Sequence, residues 1–261
     1  MKRFLAVLLI FSYLIHSSFL MAQETQPAQG SPWEERSAEA KKWVFEDLPR
    51  HLGNDIKETF WNPWHLLGLA AGTGLVLGVH QADSNIQQKF SGQPMGKTSD
   101  TIIGAGTHPA VLGATLLMTL GVSELAHWEK ASKTTGTLLE ALCVAEAFTL
   151  PLKFATQRTR PNGENFSFPS AHTSGAFALA TTTEVLYGPA YGIPAYLLAS
   201  LVGVSRLDSN SHFASDVVAG ALLGTLIGLG TAKFHKKEFS KFFITPSLQD
   251  DTLSLNLVSP F

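Results

Sequence analysis

The sequence predicts an all-α fold, a helical bundle of about six core helices embedded in a membrane. Long apolar segments recur along the chain, and no strand alternation competes with them before the tail. Three uncharged stretches, 101–123, 185–205 and 217–232, are close to the roughly 20 residues that cross the hydrocarbon core of a bilayer. The predicted core helices cover residues 63–80, 109–127, 134–156, 171–187, 191–206 and 217–234.

The first 60 residues predict segments that precede this bundle. Residues 1–22 predict a secretory signal peptide, because Lys2 and Arg3 precede an apolar run that ends in small residues near Ala22. An uncleaved anchor is the alternative. Residues 23–60 predict a linker followed by amphipathic helices that lie on a surface. The functional domain is then expected over 61–241, and the alternating tail over 242–261 predicts an edge strand or a disordered segment.

The composition narrows the classes of partner. Without residues 1–22 the chain has 17 basic and 21 acidic residues, a balance that does not suggest a nucleic-acid partner. Cys143 is the single cysteine, so the chain forms no internal disulfide and no thiolate metal cluster. Its apolar surroundings predict a small core residue.

The charged residues of the 134–156 segment bear on whether the bundle lies in lipid. Glu140, Glu146 and Lys153 all fall within this segment, and ionisable groups at membrane depth must face the bundle interior or a site. A soluble, exported helical bundle is the alternative to the membrane-embedded one.

Three polar clusters interrupt the apolar helices, each at a helix end. The first, "KFATQRTRP", holds Lys153 and Arg160 two helical turns apart on one face. The second is "PSAHT", and the third, "SRLDSNSHFASD", holds Arg206, His212 and Asp216. Each cluster alone is typical of helix capping or a local ion pair. Together they supply cations, a helix amino terminus and two imidazoles, which are the groups that phosphoryl transfer needs.

These clusters resemble the type 2 phosphatidic acid phosphatase superfamily (PAP2). Its pattern is Lys-x6-Arg-Pro, Pro-Ser-Gly-His and Ser-Arg-x5-His-x3-Asp, and one position here departs from it, Ala171 in place of glycine. The motifs span residues 153–216, and the flanking apolar helices extend the resemblance to about 60–234. The resemblance implies a PAP2/haloperoxidase-like helical bundle.

The resemblance also implies three catalytic residues. His212 would attack phosphorus to form a phosphohistidine, while Asp216 fixes the tautomer of His212 and supports its developing charge. His172 would protonate the leaving oxygen and then activate water.

Five further residues are implied to bind the phosphate. Lys153, Arg160 and Arg206 would hold its oxygens, joined by the Ser170 hydroxyl and by backbone N–H groups around Ala171. If the backbone at Ala171 has ordinary angles, alanine is tolerated there and its N–H still donates. The reaction implied by these residues requires no metal and no cofactor. The PAP2 pattern gives neighbouring Arg158 no role.

The expected function is a metal-independent phosphatase that hydrolyses a phosphate monoester or pyrophosphate on a lipid. The alternatives are a soluble periplasmic acid phosphatase acting on small esters and a vanadium-dependent haloperoxidase, which shares the anion site. A lipid- or phosphate-binding membrane protein without catalysis is the non-enzymatic alternative.

Basic residues predict the orientation in a bacterial inner membrane. Lys130 and Lys133 follow the second predicted helix and several lysines follow the last, whereas the 187–191 connection is uncharged. The positive-inside rule then places these ends in the cytoplasm and the active site in the periplasm. Residues 24–108 would form an external interfacial layer in front of five spanning helices.

Overall fold

The structure, a computed structural model, describes residues 63–90, 92–239, 243–249 and 252–258, all within a compact unit that spans Arg50–Phe261. The predicted signal peptide, linker and amphipathic helices lie outside the described residues. Eight helices occupy the described part of the chain, so the all-α prediction is confirmed. They are α1 Pro63–His80, α2 Asp83–Phe90, α3 Lys97–Gly106, α4 Pro109–Leu125, α5 Glu129–Thr156, α6 Ala171–Tyr187, α7 Pro189–Asp208 and α8 Ala214–Phe239.

Six of these helices are the predicted ones, and the ends of α1 and α6 match the predicted residues. The two short helices, α2 and α3, are not among the predicted ones. Residues 83–90 are too polar for a predicted core helix, and the uncharged stretch 101–123 does not show where α3 ends and α4 begins. The tail forms an antiparallel hairpin of β1 Phe243–Gln249 and β2 Thr252–Val258, which confirms a strand there.

Helix α6 lies at the centre of the bundle and packs against α5, α7 and α8. The buried apolar core lies where α5, α6 and α8 meet, and Val144, Ala178 and Ile227 are among its members. Cys143 lies next to this core on α5 but is exposed, so the prediction of a core cysteine is wrong. Its neighbours in sequence, Leu142 and Val144, occupy the inward-facing positions of the helix instead.

Helices α6 and α8 approach each other with their backbones almost in contact. Gly220, Gly224 and Gly228 recur at every fourth position on the α8 face that meets α6. A Cβ atom at Gly224 would lie 2.1 Å from the carbonyl oxygen of Ser174. Small residues at this spacing allow close helix packing, and the contact fixes the start of α6 against the start of α8.

Two described helices are long and apolar enough to cross a membrane, α7 and the Ala214–His235 part of α8. Helices α3 and α4, bent by 48° at their junction, would provide a third span if they are counted as one. This is fewer than the five spans expected from the sequence, because α5 carries charged residues along its length and α6 has 17 residues that include Glu184. The exposed side chains of Leu197 and Leu198 on α7 support membrane association.

Candidate active site

The structure brings all three sequence motifs to one end of the bundle. Lys153 lies in the last turn of α5, and Arg206 lies in the last turn of α7. The starts of α6 and α8 come to the same end, since the backbone N–H of Ser170 donates to the carbonyl oxygen of Asp216 at 3.1 Å. The antiparallel order of the helices therefore assembles residues that are up to 63 positions apart, Lys153 and Asp216.

His212 and Asp216 form the buried centre of this end. The Nδ1 atom of His212 lies 3.8 Å from Oδ2 of Asp216, a separation that is longer than a hydrogen bond. Asp216 Oδ2 accepts hydrogen bonds from the Ser167 hydroxyl at 2.5 Å and from the Phe213 backbone N–H at 2.9 Å. Nδ1 of His212 has no hydrogen-bond partner among the described residues. Asp216 is thus held by other donors while it faces the imidazole.

Burial sets the protonation state of His212, whose side chain is almost inaccessible to solvent. Removal from water lowers the pKa of His212 because the charged imidazolium loses its hydration. The interaction with Asp216 opposes this effect, and the positive charge of Lys153 adds to it. The net direction is downward, so His212 is neutral near neutral pH and its ring carries a free lone pair.

Lys153 and Arg160 provide positive charge beside this imidazole. Lys153 is buried, and its Nζ donates to the carbonyl oxygen of Phe166 at 2.8 Å. Arg160 pairs with Glu164 at 2.9 Å, while its buried Nε has no partner in the described part of the chain. Both cations lie within electrostatic reach of His212. An unpartnered guanidinium nitrogen at this position is suited to an anion.

The amino terminus of α6 provides a second set of donors. Ser170 is the buried N-cap residue, and its hydroxyl accepts from the backbone N–H of Thr173 at 3.4 Å. Ala171 is the first helical residue and does not have a positive φ. The position that departs from the PAP2 pattern therefore has ordinary backbone angles, which an alanine adopts without strain.

Helix α3 covers His172 and Arg206. Nε2 of His172 donates to the carbonyl oxygen of Gly104 at 3.1 Å, since a carbonyl only accepts. The Arg206 guanidinium donates to the carbonyl oxygen of Asp100 at 3.2 Å and to the Ser205 hydroxyl. A Cβ atom at Gly104 would lie 2.6 Å from a guanidinium nitrogen, so glycine allows this approach. No spacing in the sequence signals that α3 packs here.

The sequence reasoning missed three residues at this end. Arg158 donates to Oδ1 of Asp216 at 2.6 Å and to Asp83 at 2.7 Å, although the motif gave it no role. Its position two residues before Arg160 was the available signal. Ser167, which bonds Asp216, precedes the "PSAHT" cluster and carried no signal of its own. Asp83 lies far from the motifs in sequence, so only the fold brings it here.

Comparison with known sequences assigns part of the bundle to a family. The PAP2 superfamily model matches residues 134–240. Residues 134–240 form a PAP2 superfamily domain. This range begins within α5, ends just after α8 and contains all three motifs.

Two curated relatives match parts of the chain. Lipid A 1-phosphatase from Porphyromonas gingivalis is 45% identical over 80 residues, which are 29% of this chain and 18% of that protein. Decaprenylphosphoryl-5-phosphoribose phosphatase from Mycobacterium tuberculosis is 32% identical over 96 residues, which are 33% of this chain and 52% of that protein. The chain therefore spans about half the length, or less, of these relatives.

Two solved structures resemble the chain more weakly. A transmembrane PAP2-type phosphatidylglycerolphosphate phosphatase from Bacillus subtilis covers 66% of this chain and 96% of its own, with 19% identity and a TM-score of 0.49. LpxE from Aquifex aeolicus covers 58% of this chain and 94% of its own, with 24% identity and a TM-score of 0.45.

Proposed function

We propose that this protein is a lipid phosphate phosphatase that removes a phosphate monoester or pyrophosphate group through a phosphohistidine intermediate. The observation that carries the proposal is the buried, neutral His212 beside Asp216, with Lys153 and Arg160 within electrostatic reach. These are a nucleophile, its orienting carboxylate and the cations that stabilise phosphoryl charge. The residues supply these groups themselves, and the proposed reaction is metal-independent.

In the first step, His212 attacks phosphorus. Nδ1 of His212 faces Asp216, so Nε2 is the nitrogen that bonds to phosphorus. The bond between phosphorus and the leaving oxygen breaks, and that oxygen takes a proton from His172. Burial lowers the pKa of His172 to about 3 in the free protein, so His172 takes up this proton when the phosphate anion binds beside it. Lys153, Arg160 and Arg206 hold the phosphoryl oxygens, and the backbone N–H groups at the start of α6 add their dipoles.

The second step releases the phosphate. Neutral His172 takes a proton from a water molecule, whose oxygen attacks phosphorus as the bond to Nε2 of His212 breaks. Inorganic phosphate leaves, and His212 and His172 return to their starting protonation states.

A lipid is the substrate class that the surroundings favour. The two curated relatives are named as phosphatases of lipid A and of decaprenylphosphoryl-5-phosphoribose. Helix α7 and much of α8 are candidate membrane spans that end or begin at the site, so a phosphate at a membrane surface can reach it. We place the protein in a bacterial inner membrane with the site facing the periplasm, since the lysines of the α5 start and the α8 end lie at the opposite end.

Phosphate release by the detergent-purified protein tests the proposal. Phosphatidate, phosphatidylglycerol phosphate, a prenyl diphosphate, lipid A and p-nitrophenyl phosphate are the substrates to compare. We expect His212→Asn to lower kcat at least about a thousandfold and to abolish the acid-labile labelling of the protein by radioactive substrate. The matched control is His127→Asn, because His127 is exposed and its φ of 55° suits asparagine.

Three outcomes would contradict parts of this proposal. Phosphate release from none of the substrates would refute the phosphatase function. Activity that survives in His212→Asn would refute the phosphohistidine. Hydrolysis of p-nitrophenyl phosphate alone, with no need for detergent, would favour the soluble acid phosphatase instead of the lipid phosphatase.

A further inference from the structure

Asp83, the first residue of α2, is a buried carboxylate that the proposed reaction does not use directly. Its Oδ1 accepts from the backbone N–H of Ser215 at 2.8 Å, and its Oδ2 accepts from the Ser215 hydroxyl at 2.6 Å. Oδ2 also accepts from Arg158 at 2.7 Å and lies 2.9 Å from Nδ1 of His80. Burial acts to raise the pKa of Asp83, but these hydrogen bonds outweigh it and hold the pKa below its usual range. Asp83 is therefore ionised.

The guanidinium of Arg158 joins Asp83 to Asp216. One terminal nitrogen bonds Oδ2 of Asp83 at 2.7 Å, and the other bonds Oδ1 of Asp216 at 2.6 Å. The Cζ atom of this guanidinium lies over the Phe213 ring, 4.3 Å from its centroid. A rigid fork with a packed face fixes both carboxylates in one arrangement.

The charges of these groups bear on the chemistry of His212. Arg158 by itself would neutralise much of the negative charge that Asp216 presents to the imidazole. Asp83 compensates that cation, so the three groups together carry one net negative charge. His212 gains positive charge as it bonds to phosphorus, and a net negative charge beside it stabilises that state.

We propose that Asp83 is a positioning residue for phosphoryl transfer, which acts through Arg158 and Ser215 to hold Asp216 in place and to preserve its charge. Asp83 touches neither the substrate nor the reacting atoms. This inference rests on the proposed function and adds a part of α2, outside the PAP2 match, to the catalytic apparatus. The alternative is a purely structural role, in which Asp83 only holds α2 against the start of α8.

Asp83→Asn separates the two roles, because asparagine has the same shape and keeps an acceptor for Ser215 but removes the charge. We expect kcat to fall on the order of tenfold while KM stays within about twofold, since substrate contacts are unchanged. The rate of phosphoenzyme formation in single-turnover experiments should fall by the same factor as kcat. The control is Asn85→Ala, an exposed position on the same helix, which should leave both constants unchanged.

A double variant tests whether Asp83 acts through Arg158. Once Arg158→Gln has removed the cation, adding Asp83→Asn should lower kcat by no more than about twofold, because no charge remains to be compensated. Independent effects that multiply would contradict the coupling.

The outcomes distinguish this inference from the proposed function. A wild-type protein that releases no phosphate refutes the proposed function and this inference with it. An active wild type whose kcat is unchanged by Asp83→Asn, or whose loss lies in KM and melting temperature alone, overturns only the positioning role. If Asp83→Asn does not fold, Arg158→Lys replaces it, because lysine keeps the charge but cannot bridge both carboxylates. An unchanged kcat in Arg158→Lys would equally overturn the proposal.

Discussion

At the scale of single residues, burial decides how the candidate site works. His212 and Asp216 are both almost fully buried, and Arg158, Ser167 and the backbone N–H of Phe213 all donate to Asp216. A buried carboxylate with several donors keeps its charge, and a buried imidazole loses its proton. The same burial that would be costly for an unpaired group thus gives His212 and Asp216 the charge states that the proposed mechanism requires.

The lowered pKa of His212 predicts the acid side of the pH profile. In the proposed mechanism only the neutral imidazole attacks phosphorus, and a lowered pKa keeps His212 neutral to lower pH. We therefore expect kcat/KM to hold below pH 6.5, the ordinary histidine value, and to fall as the pH drops through the lowered pKa. The pH dependence of kcat/KM for the wild type measures this. An acid limb centred above pH 6.5 would contradict it.

Ala171 predicts a small effect for the change that restores the family glycine. The residue begins α6 with ordinary angles, so neither strain nor a missing donor limits activity. We expect Ala171→Gly to change kcat/KM by no more than about twofold and to lower stability by up to about 1 kcal/mol, because glycine is a poorer helix residue. Kinetics and thermal melting check both. A large gain in activity would show that the methyl group does limit the site.

At the scale of elements, the contact between α6 and α8 positions the chemistry. Helix α6 carries Ser170 and His172 at its start, and α8 begins two residues after His212. Gly220, Gly224 and Gly228 let the two helices meet backbone to backbone. This contact leaves little freedom in the separation between the start of α6 and the start of α8. Helix α3 packs against the same end of the bundle, where its backbone carbonyls contact His172 and Arg206.

Gly224→Ala tests this helix contact. The added Cβ would meet the backbone of α6, which cannot rotate away, so we expect a loss of about 1–3 kcal/mol in stability and a reduced kcat. Gly136→Ala in α5 is the matched control, because nothing lies within 4 Å of the position that its Cβ would occupy. Alanine there should be neutral or stabilising by up to about 1 kcal/mol. Equal melting temperatures for the two variants would contradict the close contact.

At the scale of the whole molecule, polar and apolar surfaces are arranged for a membrane. The large exposed hydrophobic side chains include Ile193, Leu197 and Leu198 on α7. At the end of the bundle away from the site, Trp128 and Tyr191 are also exposed, as is typical of residues at a membrane interface. The site therefore occupies one end of a helical bundle, and interfacial aromatic residues occupy the other.

Membrane fractionation tests this arrangement. We expect the wild-type protein to remain with the membrane after an alkaline carbonate wash, because helices α7 and α8 are long and apolar enough to span it. In intact cells, an impermeant amine reagent should leave Lys130 and Lys133 unmodified if the site faces the periplasm. Recovery in the soluble fraction would contradict the spans, and modification of these lysines would contradict the orientation.

The sequence by itself determined the helices and the motif residues, because both depend on local information. Apolar runs of helical length located six helices, and fixed spacings within each motif identified residues such as His212 and Asp216. The tertiary structure alone decided which distant groups complete the site. Asp83 and Gly104 reach it through long-range packing, and no periodicity near either residue records that contact. A side chain's partners across the bundle depend on how whole helices pack, which local pattern does not determine.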